Sequence, residues 1–134
     1  MSDTPETGDP RLGLTVGHRR YVPFSHAHYA GDLVDGAYGL GLFGDVATEL
    51  CIRTDGDEGL FASYSVVQFL APVRAGAVVE VTATLVRVGR RSRELRFEVR
   101  VVCRARADAP PGRSDVLDTP VVATTATGTV VVPG

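Results

Sequence analysis

The hydrophobic pattern of this chain changes its period once, near residue 60, and this change constrains the fold more than any other feature. From Val34 to about Ile52, apolar residues recur at three- and four-residue spacings, which is helical periodicity. Beyond Leu60, apolar and polar residues alternate, which is typical of strands with one buried face. The pattern therefore predicts one long helix followed by an antiparallel sheet, an α+β arrangement.

Residues typical of turns separate the strand-like part of the chain into individual predicted strands. The predicted strands are a short first one containing Leu12, Leu14 and Val16, then residues 62–71, 79–85, 93–104 and 121–132. Residues 88–92 are predicted to connect two antiparallel strands, and residues 105–120, rich in Pro, Gly and Asp, are predicted to form a long surface loop. One helix then has to cover the single apolar face of the sheet.

Length and charge limit the domain organisation and the class of partner. A chain of 134 residues with 44% apolar residues supports one core, so we expect a disordered tail over residues 1–10 and one domain over 11–134. A formal net charge of −2 gives no general reason to bind nucleic acid or an anionic membrane surface. No apolar run approaches the roughly 20 residues that span a bilayer.

Cysteine use and the first residues predict a compartment. Cys51 and Cys103 both lie in apolar-patterned segments, and the first ten residues lack the apolar stretch of a signal peptide. We therefore expect a reduced, cytoplasmic protein without a disulfide. His, Cys and acidic residues show no metal-ligand spacing, so no metal is expected.

Polar and titratable residues crowd the turn before the helix. Either Asp32 or Asp35 is suited to cap the helix. Backbone amides at a buried helix start stabilise developing negative charge, and the residues at this start are Asp35, Gly36 and Ala37. Gly36 would let a ligand approach the backbone closely.

Two carboxylates lie further along the same helix. Asp45 and Glu49 are four residues apart, so they project from the same side, about one turn from each other. Such a pair suits acid–base chemistry, with one group as a base and the other holding a cation. The alternative is a solvated helix face in which Glu49 pairs with Arg53.

Five segments together carry a resemblance to a known family. They are AHYAGDLVDGA (27–37), LFGDVATEL (42–50), DGDEGLF (55–61), FLAPVRAG (69–76) and VGRRSRELRFE (88–98). They resemble the hotdog-fold 3-aminobutyryl-CoA and beta-alanyl-CoA ammonia lyases, and the order of elements matches over residues 11–133. The resemblance implies a hotdog fold, a curved antiparallel sheet wrapped around one central helix. The chain departs from the family at Gln68, where relatives have an acid, and at Gly76-Ala77, where they have Gly-Asp.

The resemblance also implies an activity. The expected enzyme is a carbon–nitrogen lyase that reversibly eliminates ammonia from a 3-aminoacyl-CoA, such as 3-aminobutyryl-CoA, to give crotonyl-CoA through an enolate-like intermediate. It would need no cofactor besides the coenzyme A of its substrate, and it would work as a homodimer or as a dimer or trimer of dimers, with sites between subunits. Two alternatives are an acyl-CoA thioesterase, with Asp45 or Glu49 activating water, and a noncatalytic acyl-thioester-binding protein.

The family resemblance and the local patterns together predict three groups of site residues. The expected catalytic residues are Asp45, Glu49, His28 and Asp32; the expected substrate-binding residues are Asp35, Gly36, Ala37, Tyr29 and Gln68; the expected coenzyme A-binding residues are Arg90, Arg91, Ser92 and Arg93. The alternatives are a loop role for His28, a packing role for Tyr29 and a solvated turn for the arginines. His18 and His26 are expected to be structural or exposed.

Overall fold

The computed structural model describes residues 8–134. The predicted tail therefore lies outside the described residues except at positions 8–10. There the Leu12 amide donates to the Asp9 carbonyl at 3.1 Å, and the Asp9 carboxylate accepts from the Arg11 side chain at 2.7 Å. Residues 8–10 thus belong to a hydrogen-bonded turn that leads into the domain.

One sheet and one helix make up the fold. The strands are β1 (Thr15–Tyr21), β2 (Leu60–Phe69), β3 (Val78–Val88), β4 (Ser92–Ala105) and β5 (Ser114–Val131), and the helix is α1 (Gly36–Asp55). Two short 3₁₀ turns, Phe24–His26 and Ala30–Asp32, precede α1. The sheet order is β1-β3-β4-β5-β2, and all neighbouring strands are antiparallel. The predicted α+β arrangement is confirmed.

The predicted loop over residues 105–120 is too long. Strand β5 begins at Ser114, because Cys103 to Ala105 continue the ladder with Ser114 to Val116. The register then shifts between Val101 and Cys103, so Pro120, which has no amide hydrogen to donate, lies at the irregular step. A local composition rich in Pro and Asp predicts a loop, whereas pairing with β4 extends the hairpin.

The core lies between α1 and the sheet. The buried residues of the helix are Leu42, Phe43, Val46, Ala47, Leu50 and Cys51. The predicted alternation in β4 is confirmed from Leu95 to Val101, where every second residue is buried. It ends there, because Val102 is buried and Cys103, predicted on the buried face, is partly exposed. Phe43 and Phe97 stack across the interface with ring centroids 4.8 Å apart. This packing fixes the direction of the helix over the sheet.

The start of α1 is fixed by a cap and by close packing on the sheet. Asp35 is the cap, because its carboxylate accepts a hydrogen bond from the Tyr38 amide at 3.1 Å. At Gly39, an added Cβ would lie 3.5 Å from the side chain of Val99 on β4. The sheet therefore presses closely on this turn of the helix, as the glycines in the helical span require.

Candidate active site

A cleft of about 340 Å³ opens beside the first turn of α1, and we call it the helix-start cleft. Residues that line it include Tyr29, Asp35, Gly36, Tyr38, Phe69 and Thr124. Within residues 8–134, the structure gives the backbone amides of Gly36 and Ala37 no hydrogen-bond acceptor. Free amides and the positive end of the helix dipole favour an anionic or developing oxyanion group here.

Phe69 borders the cleft, although no sequence pattern marked it as a site residue. An added Cβ at Gly36 would lie only 2.8 Å from the Phe69 ring carbons Cε1 and Cζ. The space left by the glycine is therefore shared with an aromatic ring that is itself 60% exposed. Gln68, the neighbouring predicted residue, is exposed on β2 and pairs with Thr125 after a register shift. It does not line the helix-start cleft.

A second unforeseen feature is a hydrogen bond between Tyr38 and His26. The Tyr38 hydroxyl oxygen lies 2.9 Å from His26 Nδ1, and both side chains are partly buried. His26 was expected to be structural or exposed, and Tyr38 was not among the predicted site residues. No spacing rule links a loop histidine to a helix residue twelve positions later, so only the folded chain shows the pair.

The predicted site residues of the loop before α1 do not share one cleft. The amides of His28 and Tyr29 both donate to the Leu33 carbonyl, at 2.8 and 2.9 Å. Their rings meet edge to face with centroids 4.6 Å apart, and only Tyr29 lines the helix-start cleft. Asp32 is exposed and has a positive φ of 61°, and its carbonyl accepts from the Ala75 amide. Asp32 lines a different, larger cleft.

That larger cleft has a volume of about 840 Å³ and adjoins the helix-start cleft through Ala71 and Pro72. Its basic residues are Arg74, Arg104 and Arg106. The side chain of Arg106 contacts Asp108 and Asp115, and Arg74 donates to the Gly31 carbonyl at 2.6 Å. Arg74 is distant in the chain from Arg104 and Arg106, so local sequence patterns did not group these three arginines.

The carboxylates of α1 lie away from the helix start of the same chain. Asp45 is nine residues beyond Gly36, a separation of about 14 Å along the helix axis. It is exposed and borders a small cleft of about 190 Å³ that also contains His18 and Arg20. A single chain therefore does not bring Asp45 to a group bound at its own helix start, so its predicted catalytic role would require a site between subunits.

Glu49 is held by two basic side chains. His18 Nε2 lies 2.7 Å from one carboxylate oxygen of Glu49, and Arg53 Nε donates to the other at 2.8 Å. The hydrogen bond with His18 and then that with Arg53 lower the pKa of Glu49. The alternative interpretation of Glu49, a pairing with Arg53, thus describes the geometry, and the contact with His18 was not foreseen.

Arg93 is wrong as a candidate for binding coenzyme A. It is only 4% exposed, its Nε and Nη2 donate to Asp55, and its Nη1 donates to the carbonyls of Gly89 and Ser92. A guanidinium with its donors used in this way is not available to a phosphate. Arg90 and Arg91 are exposed, but their turn lies beside the C-terminal end of α1, about 30 Å of helix from its start.

Comparison with known proteins identifies the family to which this chain belongs. Residues 37–105 match the model of the thioesterase superfamily. The chain is 54% identical, over 107 residues, to the 3-aminobutyryl-CoA ammonia lyase of Acetoanaerobium sticklandii. The aligned region covers 80% of this chain and 85% of that protein. The chain belongs to the CoA ammonia lyase family of the thioesterase superfamily. The resemblance inferred from the sequence is thereby confirmed.

Solved structures agree with membership of the CoA ammonia lyase family. The beta-alanyl-CoA:ammonia lyase from Clostridium propionicum superposes with a TM-score of 0.86 at 34% identity, over 90% of this chain and 86% of that one. A hexameric thioesterase from Yersinia pestis superposes with a TM-score of 0.72 at 19% identity, over 91% and 88% of the two chains. The latter match supports the fold alone, and the predicted hotdog fold is confirmed.

Over residues 8–134, no helix has the length and apolarity needed to cross a membrane.

Proposed function

We propose that this protein is a carbon–nitrogen lyase that reversibly eliminates ammonia from a 3-aminoacyl-CoA to give the 2-enoyl-CoA, with 3-aminobutyryl-CoA and crotonyl-CoA as the expected pair. The observation that carries the proposal is the 54% identity to a 3-aminobutyryl-CoA ammonia lyase, because the superfamily also contains thioesterases. The helix-start cleft is the part of the molecule with suitable chemistry.

The reaction removes a weakly acidic proton from C2 and places negative charge on the thioester oxygen. The amides of Gly36 and Ala37 meet the requirement for donors that need no reorganisation when that charge develops. In the proposed complex the thioester oxygen accepts from these amides, and the acyl chain occupies the helix-start cleft. Tyr29 borders the same space and contributes to the binding of the acyl chain.

A second copy of the chain would supply the carboxylate. One face of α1 remains exposed and contains Ala37, Gly41, Asp45, Thr48 and Ile52. The edge strand β2 also exposes apolar residues, namely Leu60, Val66 and Phe69, with Leu70 directly after it. Both surfaces are uncovered within residues 8–134, and a homodimer would bury them. In the proposed dimer, or an assembly of such dimers, Asp45 of one chain serves as the base at the helix start of the other.

The remaining predicted residues have secondary roles in this proposal. Glu49, ionised and held by His18 and Arg53, contributes negative charge that favours the substrate ammonium group. His28 and Asp32 would contact the substrate on its route to the cleft, whereas Gln68, which lies outside the lining of the cleft, has no role in this proposal. We also propose a cytoplasmic location, as predicted from the sequence, since Cys51 and Cys103 are both free thiols.

The experiment that tests the proposal offers crotonyl-CoA and ammonium to the purified protein. Mass spectrometry of the acyl-CoA and a thiol reagent are used in the same reaction. The proposal predicts an acyl-CoA that has gained one ammonia molecule, without release of free thiol. Release of coenzyme A with no adduct would instead identify an acyl-CoA thioesterase, and the absence of both products would indicate a noncatalytic binding protein.

A further inference from the structure

The pair formed by Tyr38 and His26 has no role in the proposed mechanism so far, although it lies at the reacting end of the molecule. Tyr38 lines the helix-start cleft together with Asp35 and Gly36. Its amide donates to the Asp35 carboxylate at 3.1 Å, and its hydroxyl oxygen lies 2.9 Å from His26 Nδ1. The tyrosine is therefore fixed at both its backbone and its hydroxyl end.

We propose, as a step that rests on the proposed function, that Tyr38 is a catalytic hydrogen-bond donor to the thioester oxygen and that His26 is its positioning residue. In the tautomer that carries hydrogen on Nδ1, His26 donates to the Tyr38 oxygen. The hydroxyl hydrogen of Tyr38 is then directed away from the imidazole and is free to be donated to a ligand of the cleft that Tyr38 lines. Tyr38 thereby adds a side-chain donor to the two backbone amides.

The other polar side chains of the cleft are less suited to this role. The carboxylate of Asp35 accepts hydrogen bonds and is already bound to the Tyr38 amide. Tyr29 is 57% exposed, and its ring contact is with the exposed His28. Within residues 8–134, no hydrogen bond orients the Tyr29 hydroxyl. Only a donor with a fixed direction stabilises charge without reorganising, which favours Tyr38.

The electron movements in this step balance without a cofactor. A base takes the C2 proton, and the electron pair of that C–H bond moves through C2–C1 onto the thioester oxygen, which accepts the Tyr38 hydrogen bond. When the carbonyl forms again, the pair makes the C2=C3 bond, and the C3–N bond breaks with its electrons leaving on ammonia. Tyr38 keeps its proton throughout, so it stabilises the enolate without being consumed.

The test separates enolate formation from ammonia chemistry by using butyryl-CoA, which has no group to eliminate. Exchange of its C2 hydrogens with deuterium oxide is followed by NMR alongside the kinetics of ammonia addition to crotonyl-CoA. Tyr38→Phe is expected to lower both the exchange rate and kcat by about 100-fold, with KM within about threefold of the wild type. The exposed Tyr21→Phe is the matched control and should leave both rates unchanged.

Two substitutions of His26 test its positioning role. His26→Asn places an amide donor near the former Nδ1 and should keep exchange within about threefold of the wild type, whereas His26→Leu should lower it about tenfold. Exchange unaffected by Tyr38→Phe, or equal losses in both His26 variants, would overturn the inference. If wild-type protein exchanges deuterium in a Tyr38-dependent manner but adds no ammonia, the proposed function fails while the role of Tyr38 in enolate formation stands.

Discussion

Arg93 Nη2 lies 2.7 Å from Asp55 Oδ1, in an ion pair that joins the last turn of α1 to the first residues of β4. The side chains are only 5% and 12% exposed, and Arg11 adds a third charge at 3.0 Å from the same carboxylate oxygen. Burial raises the pKa of Asp55, but the hydrogen bonds from Arg93 and Thr54 outweigh it, so the net pKa is lowered. This pair stabilises the fold at the end of the helix that lies away from the candidate site.

Asp55→Asn should therefore lower stability without altering the site. Removing one partner of a largely buried pair costs about 3 kcal/mol, which lowers Tm by roughly 10 °C. Folding lowers the pKa of Asp55, so its ionised carboxylate contributes to the free energy of unfolding. This contribution is fully present above the pKa of about 3.9 in the unfolded state, and it is lost as pH falls through the lower pKa of the folded state. Thermal unfolding at several pH values should show the largest deficit at neutral pH and a smaller one below about pH 4. The exposed Asp108→Asn is the control, and an equal Tm change in both variants would contradict the assignment.

Asp45 and Glu49 should differ sharply in their importance for turnover. Asp45 is proposed as the base, so Asp45→Asn should reduce kcat at least about 100-fold with the fold intact. Glu49 is already held by His18 and Arg53, so Glu49→Gln should reduce kcat by less than about tenfold. Steady-state kinetics with crotonyl-CoA and ammonium provide the measurement. Near-normal turnover in Asp45→Asn would remove this residue from the mechanism.

Gly36→Leu should block the helix-start cleft. A leucine would occupy space that the proposed thioester needs, so we expect kcat/KM to fall at least about tenfold. The same side chain would also displace the Phe69 ring, whose Cζ is 2.8 Å from the position of an added Cβ. The double variant with Phe69→Ala separates these causes. If the second substitution restores kcat/KM, the loss came from the displaced ring and the thioester does not approach Gly36.

The basic residues that bind the nucleotide part of coenzyme A can be found by comparing two substrates. Crotonyl-CoA carries the nucleotide, whereas the crotonyl thioester of N-acetylcysteamine lacks it. Because the larger cleft adjoins the helix-start cleft, Arg104→Ala should raise KM roughly tenfold, or ~1.4 kcal/mol, for the CoA ester alone. Arg90→Ala tests the position predicted from sequence, on the exposed turn. A KM effect confined to Arg90→Ala would assign the nucleotide to that turn, supplied by a neighbouring chain.

Periodicity in the sequence predicted the helix, the sheet and the buried alternation of β4, because these depend on local spacing. It did not predict where β5 begins, since pairing with β4 overrides a composition rich in Pro and Asp. Local spacing also placed Asp35, Gly36 and Ala37 at the helix start. The observed helix begins at Gly36, within one turn of the predicted beginning at Val34. These features follow from neighbours along the chain, which a sequence displays directly.

The rest of the site depends on contacts between distant positions. The side chain of Arg93 belongs to the core because Asp55, 38 residues earlier, neutralises it. The contacts of Tyr38 with His26 and of Glu49 with His18 likewise join different elements. The separation of Asp45 from Gly36 was implicit in the rise of the helix, and it is the reason for proposing a site shared by two chains.

Catalysis at a site shared by two chains is tested most directly by mixing two impaired variants. Gly36→Leu blocks the proposed helix start and Asp45→Asn removes the proposed base, so each homodimer is expected to keep at most about a tenth of wild-type activity. Refolded together in equal amounts, they form mixed dimers in which one of two sites is intact, and about one quarter of wild-type ammonia addition should return. If the mixture stays as impaired as its components while mixed dimers are present, Asp45 does not act across the interface and the proposed site is wrong.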